Sequence, residues 1–231
     1  MITNRIKDLF PQHVRQWVKS HPNLATVVDV MMNMRRRDLP VFDVLAMLTA
    51  NEREFLFQLA KGNNPEKEIV EIGCYSGGSA FYLGRGAQIS GSHVYSIDPF
   101  DSELDRQWQE WDGTVYYKHH KKPSRQEVEK DIRKYGLQST VTLIEGFSTE
   151  LARRWDKTIG LLFIDGNHKQ VREDYDAWKN YLAGNAVAAF HDANFPLHIH
   201  GRSDVTESVQ RIQKDYGLTL RGSTDRIMCL G

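Results

Sequence analysis

The chain has 231 residues, 40% of them hydrophobic, and its 30 basic residues balance 30 acidic ones. This hydrophobic fraction supports a sizeable buried core and excludes a disordered chain. The charge balance argues against a general binder of nucleic acids or membrane surfaces. The two cysteines, Cys74 and Cys229, are too few for a disulfide framework and lack the spacing of a zinc site. The first residues lack an apolar signal core, and no apolar run reaches membrane length, so we expect a cytoplasmic protein.

The first 60 residues predict helices only. Apolar residues recur at helical spacing from Ile6 to Trp17. Thr49 and Glu52 have the spacing of a capping box, which indicates that a further helix begins directly after Thr49. We therefore assign residues 1–60 to an N-terminal helical extension, whose apolar residues make a homodimer plausible.

From residue 68 the pattern changes to short apolar strands that alternate with amphipathic helices. The five strands are predicted at residues 68–73, 93–98, 141–146, 160–165 and 186–192. Ser124 and Glu127 form a second capping box, and a helix that begins near Val171 carries Trp178 and Leu182 on one face. A last helix precedes two short strands that are close enough to pair antiparallel.

This order of elements predicts one α/β domain over residues 61–231. Strands that alternate with helices form a mainly parallel, doubly wound sheet. The C-terminal hairpin adds an antiparallel edge and brings the predicted sheet to seven strands. The predicted fold class is therefore α/β with an N-terminal helical extension.

Glycine and polar residues collect at the carboxyl ends of the predicted strands. They are Gly73 to Ser79, Asp98, Gly146 to Ser148, Asp165, His191 and Asp192. Ligands of open α/β sheets bind in the crevice outside these strand ends. The candidate site is therefore expected at this edge of the sheet.

The first of these turns, Gly73-Cys-Tyr-Ser-Gly77, does not suit a dinucleotide. The fingerprint G-x-G-x-x-G requires a second glycine where Tyr75 stands. A tight strand-to-helix connection without a ligand is the alternative interpretation of the turn taken alone. However, Asp98 ends the next strand about 20 positions after the turn, where an acid that binds ribose is expected. A carboxylate can accept from both hydroxyls of a diol, so a nucleoside-bearing ligand is favoured.

The motif E-x-G-x-x-x-G at residues 71–77 resembles the first motif of class I S-adenosylmethionine-dependent methyltransferases. Residues 161–192, with "IDGNH" and "HD", resemble a subgroup of small-molecule O-methyltransferases that is often attached to sugar or natural-product tailoring; some members are labelled cephalosporin hydroxylase-like. The resemblance covers about residues 50–230 and implies the Rossmann-like methyltransferase fold. It also implies that the glycine turn packs against the methionine part of the cofactor and that Asp98 binds the ribose hydroxyls.

The resemblance further implies a set of cofactor-binding residues around the crevice. The adenine is expected near Phe147 and Ser148, and Phe100 is positioned to cover its other face. The predicted cofactor-binding residues are Glu71, Gly73, Tyr75, Gly77, Ser79, Asp98, Phe100, Phe147, Ser148 and Asp165.

The predicted catalytic residues are His168, Asp165 and His191. Methyl transfer to oxygen needs a positioned hydroxyl and a base with a pKa near neutrality. His168 follows the fourth strand closely and is the first candidate for the base, while His191 is the second. Each histidine is alternatively a hydrogen-bonded structural residue.

Asp165 and Asp192 end neighbouring strands, which brings two carboxylates close together and favours a divalent ion between them. In metal-dependent relatives, acids at these strand ends hold Mg²⁺, which binds the substrate's oxygens and lowers their pKa. Asn194 is the predicted third ligand. In the catechol-type relatives the asparagine follows the second acid directly, whereas here Ala193 stands between Asp192 and Asn194. In the alternative interpretation, the two aspartates bind backbone amides and substrate hydroxyls without a metal.

The sequence therefore predicts an S-adenosylmethionine-dependent O-methyltransferase that acts on a hydroxyl of a small molecule, either a sugar or a natural-product-like compound. A non-catalytic cofactor-binding scaffold and a nicotinamide-dependent oxidoreductase on a similar fold are the alternatives. Modification of nucleic acid is disfavoured by the neutral charge, although basic clusters occur at residues 35–38 and 118–123.

Overall fold

The computed structural model of the chain describes residues 47–101, 123–194 and 203–231. The helices predicted before Thr49 and the basic residues of both clusters lie outside the described residues.

Seven strands of the described chain form a single sheet. They are β1 (Glu68–Ile72), β2 (Val94–Asp98), β3 (Val141–Glu145), β4 (Ile159–Ile164), β5 (Leu182–Phe190), β6 (Leu220–Thr224) and β7 (Ile227–Leu230). Their order in the sheet is β3-β2-β1-β4-β5-β7-β6. Strands β1 to β5 pair in parallel, whereas β7 is antiparallel to both β5 and β6. The predicted doubly wound sheet with an antiparallel C-terminal hairpin is confirmed.

Six α-helices lie between or before these strands in the described ranges. They are α1 (Ala50–Lys61), α2 (Gly78–Ser90), α3 (Arg125–Lys134), α4 (Ser148–Ala152), α5 (Val171–Trp178) and α6 (Ser203–Tyr216). Both predicted capping boxes form, with Thr49 and Glu52 at the start of α1 and Ser124 and Glu127 at the start of α3. None of these helices is long and apolar enough to cross a membrane.

The fifth strand begins earlier than the sequence predicts. The helix expected to include Leu182 ends at Trp178, and a 3₁₀ turn over Lys179–Tyr181 leads directly into β5. Leu182 pairs with Ile159, and the register then shifts before the pairing resumes farther along β5. An apolar residue at this position satisfies the helical pattern and the strand pattern equally well, so only its partner on β4 decides between them.

The core lies on both faces of the central strands. On one face, Trp178 of α5 and Phe190 of β5 are fully buried in a cluster that includes residues of α6. Complete burial of an aromatic or aliphatic side chain of this size contributes about 1.5–3 kcal/mol. Because β4 is covered on both sides, its sequence is continuously apolar apart from Gly160.

Helix α1 packs closely on α2. A Cβ atom at Gly86 would lie 2.5 Å from the carbonyl oxygen of Phe57 and 2.6 Å from the Cβ of Ala60, so only glycine allows this approach. The described part of the predicted N-terminal extension is therefore in direct contact with α2, the helix that follows the glycine turn. The predicted boundary after residue 60 stays a prediction.

Candidate active site

The glycine turn after β1 runs directly against the end of β4. Gly73 has φ +92°, and a Cβ atom there would lie 2.2 Å from the carbonyl oxygen of Asp165. Gly77, with φ +80°, is the N-cap of α2, and a Cβ atom there would meet Val128 at 2.7 Å. These contacts explain why the sequence needs glycine at both positions. They also bring the turn and Asp165 together at one edge of the sheet.

Asp98 holds the backbone of this turn. Its Oδ2 accepts hydrogen bonds from the backbone N–H groups of Cys74 at 3.0 Å and Tyr75 at 2.8 Å. Its Oδ1 accepts from the N–H of Phe100 at 2.7 Å. The acid is buried, and both Tyr75 and Phe100 have positive φ, so the carboxylate stabilises a sharply bent backbone around itself. Its predicted contact with ribose stays a prediction.

A second group of polar side chains lies where β4 and β5 end side by side. Asp165 follows β4, while His191 and Asp192 follow β5. The Nε2 atom of His168 lies 3.3 Å from Oδ2 of Asp192. One ligand atom from each of Asp165, His168 and Asp192 lies within 4.8 Å of the others. Three of the residues predicted for catalysis or metal binding are thus brought together.

His191 lies beneath this group and is enclosed by carboxylates. Its Nδ1 is 3.0 Å from Asp165 Oδ1 and 3.5 Å from Asp192 Oδ2, and its Nε2 is 3.5 Å from Glu52 Oε2. The ring is in ion-pair range of all three, although neither nitrogen has hydrogen-bond geometry with a described partner. Burial lowers the pKa of His191, but the three acids outweigh it and raise the pKa well above its ordinary value. A protonated imidazole cannot accept a proton, so His168 is better suited to be the base.

Two charged residues of this site, Glu52 and Arg226, were not predicted as site residues from the sequence. Arg226 lies in the turn between β6 and β7, and its Nε and Nη2 donate to the two oxygens of Glu52 at 2.9 and 2.7 Å. Its Nη1 donates to Asp192 Oδ1 at 3.3 Å. Burial alone would raise the pKa of Glu52, but His191 and Arg226 lower it to about 2. The capping box drew attention to Glu52 but gave no sign of Arg226.

A model of a methyltransferase-domain family matches residues 70–193, which is more than half of the chain. The chain belongs to this methyltransferase family. The matched range contains the glycine turn, Asp98 and the whole cluster at the ends of β4 and β5. The predicted recognition of a class I S-adenosylmethionine-dependent methyltransferase is therefore confirmed, as is the enzyme class.

Solved structures agree with the methyltransferase fold. The methyltransferase PaMTH1 of Podospora anserina, bound to S-adenosylhomocysteine, is 13% identical over 99% of this chain and 94% of its own, with a TM-score of 0.61. An O-methyltransferase of Bacillus cereus in complex with S-adenosylhomocysteine is 16% identical over 94% and 96%, with a TM-score of 0.54. The O-methyltransferase TomG of Streptomyces achromogenes, in complex with S-adenosylmethionine and involved in tomaymycin synthesis, is 15% identical over 89% and 87%, with a TM-score of 0.53.

The remaining predicted residues of the methyltransferase are distributed around this crevice. Phe147 is exposed, and Ser148 begins α4 with its hydroxyl donating to the buried carboxylate of Asp174. Asn194 is exposed, and its side-chain amide donates to the carbonyl of Ile227 at 3.1 Å. The compact group of potential metal ligands consists of Asp165, Asp192 and His168, although the sequence predicts His168 as the base instead. The role of Asn194 as a ligand stays a prediction.

Glu71 is the most buried acid of the methyltransferase turn. It is fully buried, and neither carboxyl oxygen has hydrogen-bond geometry with a described partner. Burial raises the pKa of Glu71 to about 7, partly offset by the nearby hydroxyls of Ser79 and Ser96. A folded-state pKa above the unfolded value means that the carboxyl stabilises the fold only while it is protonated.

We expect Glu71→Gln to remove part of the pH dependence of the free energy of unfolding. Below pH 4.5, the ordinary pKa of a glutamate side chain, the free energies of unfolding of the variant and the wild type should show little pH-dependent difference. As the pH rises to about 7, the wild type should lose up to about 3 kcal/mol relative to the variant, and no more above that. Thermal unfolding of the ligand-free protein at a series of pH values measures this. The exposed Glu66→Gln is the control, and a pH-independent difference for Glu71→Gln would contradict the assignment.

Proposed function

We propose that the protein is an S-adenosylmethionine-dependent O-methyltransferase whose acceptor is a hydroxyl of a small molecule, either a sugar or a natural-product-like compound. The observation that carries this proposal is the pairing of His168 with Asp192 at the same edge of the sheet as the glycine turn. The contact between Gly73 and the backbone of Asp165 makes the two parts adjacent. The O-methyltransferases among the solved structures of the same fold support the choice of oxygen as acceptor.

The residues of the turn fit the cofactor. Glycine at positions 73 and 77 lets the turn pack closely against Asp165 and Val128, and the backbone between the two glycines is held by Asp98. The methionine part of the cofactor would lie against this turn, the ribose at Asp98, and the adenine beside Phe147 and Ser148. When bound, the cofactor supplies an electrophilic methyl group on its sulfonium.

His168 is the proposed general base. Its side chain is 28% exposed, so an acceptor hydroxyl can reach it, whereas His191 is almost fully buried. His168 would take the proton of the acceptor hydroxyl, whose oxygen would accept the methyl group that the cofactor supplies from its sulfonium, with S-adenosylhomocysteine as the leaving group.

A metal-assisted form of the same reaction is the second candidate. The observation in its favour is the group of Asp165, His168 and Asp192, whose oxygen and nitrogen donors suit a divalent ion. Without a metal, His191 lies beside Asp165 and Arg226 lies beside Asp192, so the chain itself provides positive charge next to both carboxylates. An imidazole nitrogen that binds a metal has no lone pair for a proton, so the two candidates differ in the role of His168.

Calorimetric titration with S-adenosylhomocysteine tests the proposal. We expect micromolar binding by the wild type and a loss of about 100-fold in Asp98→Ala, because the variant loses both the acceptor for the ribose hydroxyls and the carboxylate that holds the turn. Asp215→Ala is the matched control, since Asp215 pairs with the surface residue Arg172 of α5 among the described residues. Binding that survives in Asp98→Ala would contradict the ribose contact.

The same protein should transfer a labelled methyl group from S-adenosylmethionine to a panel of sugars, polyols and catechols. Turnover that persists in EDTA supports His168 as the base, and turnover that requires added Mg²⁺ supports the metal-assisted form. A folded wild type that does not bind S-adenosylhomocysteine would remove the proposal. Binding without transfer to any acceptor would favour a scaffold, and tight binding of NADH would favour an oxidoreductase.

A further inference from the structure

The start of α1 and the turn of the C-terminal hairpin are locked together beside the active site. Arg226 donates to both oxygens of Glu52 through its guanidinium and once more through its backbone N–H at 3.0 Å. Its Nη2 also donates to the carbonyl of Met47 at 2.6 Å. Beside it, Asp225 accepts from Thr49 Oγ1 at 2.5 Å. The guanidinium is therefore held in one orientation from several directions.

The remaining arm of this guanidinium points at Asp192. Nη1 of Arg226 lies 3.3 Å from Asp192 Oδ1, while Oδ2 of the same carboxylate lies 3.3 Å from Nε2 of His168. Asp192 is buried and has φ +56°, a backbone conformation that few non-glycine residues adopt. Oδ1 of the carboxylate thus accepts from the arginine, whereas Oδ2 lies between Nε2 of His168 at 3.3 Å and Nδ1 of the buried His191 at 3.5 Å.

The position of Asp192 Oδ2, 3.3 Å from Nε2 of His168, points to the nitrogen of this ring that carries the proton. A carboxylate oxygen only accepts hydrogen bonds, so the nitrogen that faces it is the protonated one. The proton of neutral His168 is accordingly on Nε2, and Nδ1 has the lone pair that can take a proton from an acceptor hydroxyl. A carboxylate that orients an imidazole in this way sets its tautomer for catalysis.

We propose that Arg226 is a positioning residue, which orients Asp192 and through it holds His168 as the Nε2–H tautomer with Nδ1 available as base. The inference rests on the proposed function, because it assigns a partner to the base. Glu52 contributes to the same positioning, because its carboxylate fixes the guanidinium of Arg226 that donates to Asp192. The N-terminal helix α1 and the C-terminal hairpin thereby contribute to a site whose chemical groups come from neither.

Arg226→Lys is the most informative variant because it keeps the positive charge beside the buried Glu52. A lysine ammonium is a compact charge and cannot reproduce a planar fork that reaches two carboxylates at once. We expect kcat on the best acceptor of the panel to fall about 10–100-fold, as for the loss of an outer partner of a functional histidine, while KM and the affinity for S-adenosylhomocysteine change little.

Histidine tautomers can be observed directly, without turnover. In protein labelled with ¹⁵N-histidine at mildly alkaline pH, long-range ¹H–¹⁵N correlation spectra should show His168 as the Nε2–H tautomer in the wild type. In Arg226→Lys we expect a mixture of both tautomers. The His168 signal is assigned by its absence from His168→Gln. The control Arg211→Lys changes an exposed arginine whose ionic partner in the described part of the chain is Glu207 on its own helix, and it should leave the spectrum and kcat unchanged.

Asp192→Asn tests the same inference in a second way, because it alters the carboxylate while the pair of Arg226 and Glu52 remains. Its amide would donate to Nε2 of His168, so we expect the Nδ1–H tautomer and a loss of turnover. The inference is overturned if folded Arg226→Lys keeps a pure Nε2–H tautomer with unchanged kcat, or if Asp192→Asn leaves the tautomer unaltered. Because the spectra do not depend on an acceptor, they decide the positioning role even if no methyl transfer is found.

Discussion

Replacement of His168 by alanine is expected to slow methyl transfer by about 10²–10⁴-fold, the usual contribution of a positioned general base. The affinity for S-adenosylhomocysteine should hardly change, because the described charged partner of the imidazole is Asp192 and its proposed role is toward the acceptor. Single-turnover transfer of a labelled methyl group, combined with calorimetry, measures both quantities. Added imidazole should restore part of the rate to His168→Ala.

His93→Ala is the matched control for this variant. His93 precedes β2 at the opposite edge of the sheet, and its Nε2 lies 2.8 Å from the hydroxyl of Thr142. Its removal should leave turnover unchanged. Normal turnover in a folded His168→Ala, with normal cofactor binding, would rule out His168 as the base.

Gly73→Ala is expected to have the largest effect on both stability and cofactor binding. The new Cβ atom would lie 2.2 Å from the backbone oxygen of Asp165 and would also force an L-residue to φ +92°. The nearest atoms belong to the backbone of Asp165 and Gly166 and cannot move aside as a flexible side chain could, so the ends of β1 and β4 must separate. We expect a loss of about 3 kcal/mol or more in the free energy of unfolding, and a fall of about 10 °C in the melting temperature.

The same shift would displace the turn from Asp98, so binding of S-adenosylhomocysteine should be lost even where the variant folds. Thermal unfolding and calorimetry measure the two effects separately. Gly184→Ala adds a Cβ atom on β5 with no atom within 4 Å, and it should be neutral or slightly stabilising. A Gly73→Ala protein that melts and binds like Gly184→Ala would contradict the close packing of the turn on β4.

The active site is built mainly from the ends of neighbouring strands, and this part was predictable. Parallel strands place their carboxyl ends at one edge, so the sequence alone predicts that Asp165 and Asp192 lie close together. The glycine turn was equally accessible, because a bulky residue at Tyr75 already separates it from a dinucleotide fingerprint. Both inferences depend on the type and spacing of residues that are near one another in the chain.

The charges around His191 could not be predicted in the same way. His191 follows the fifth strand much as a catalytic base would, and only its burial among three acids shows that it is held as a cation. Residue type does not distinguish a buried imidazolium from an exposed base. The difference lies in the number of carboxylates that the fold packs against the ring.

The sequence by itself determined the α/β class, the succession of strands and helices along the chain and the residues of the glycine turn, because periodicity, capping and turn chemistry are local properties. Only the tertiary structure decided that Glu52 and Arg226, which are 174 positions apart, meet beside Asp192. No repeat or spacing in the chain encodes such a contact. It arises because α1 packs on α2 and the hairpin adds to β5, so the energy of the ion pair depends on two packing events that join opposite ends of the described chain.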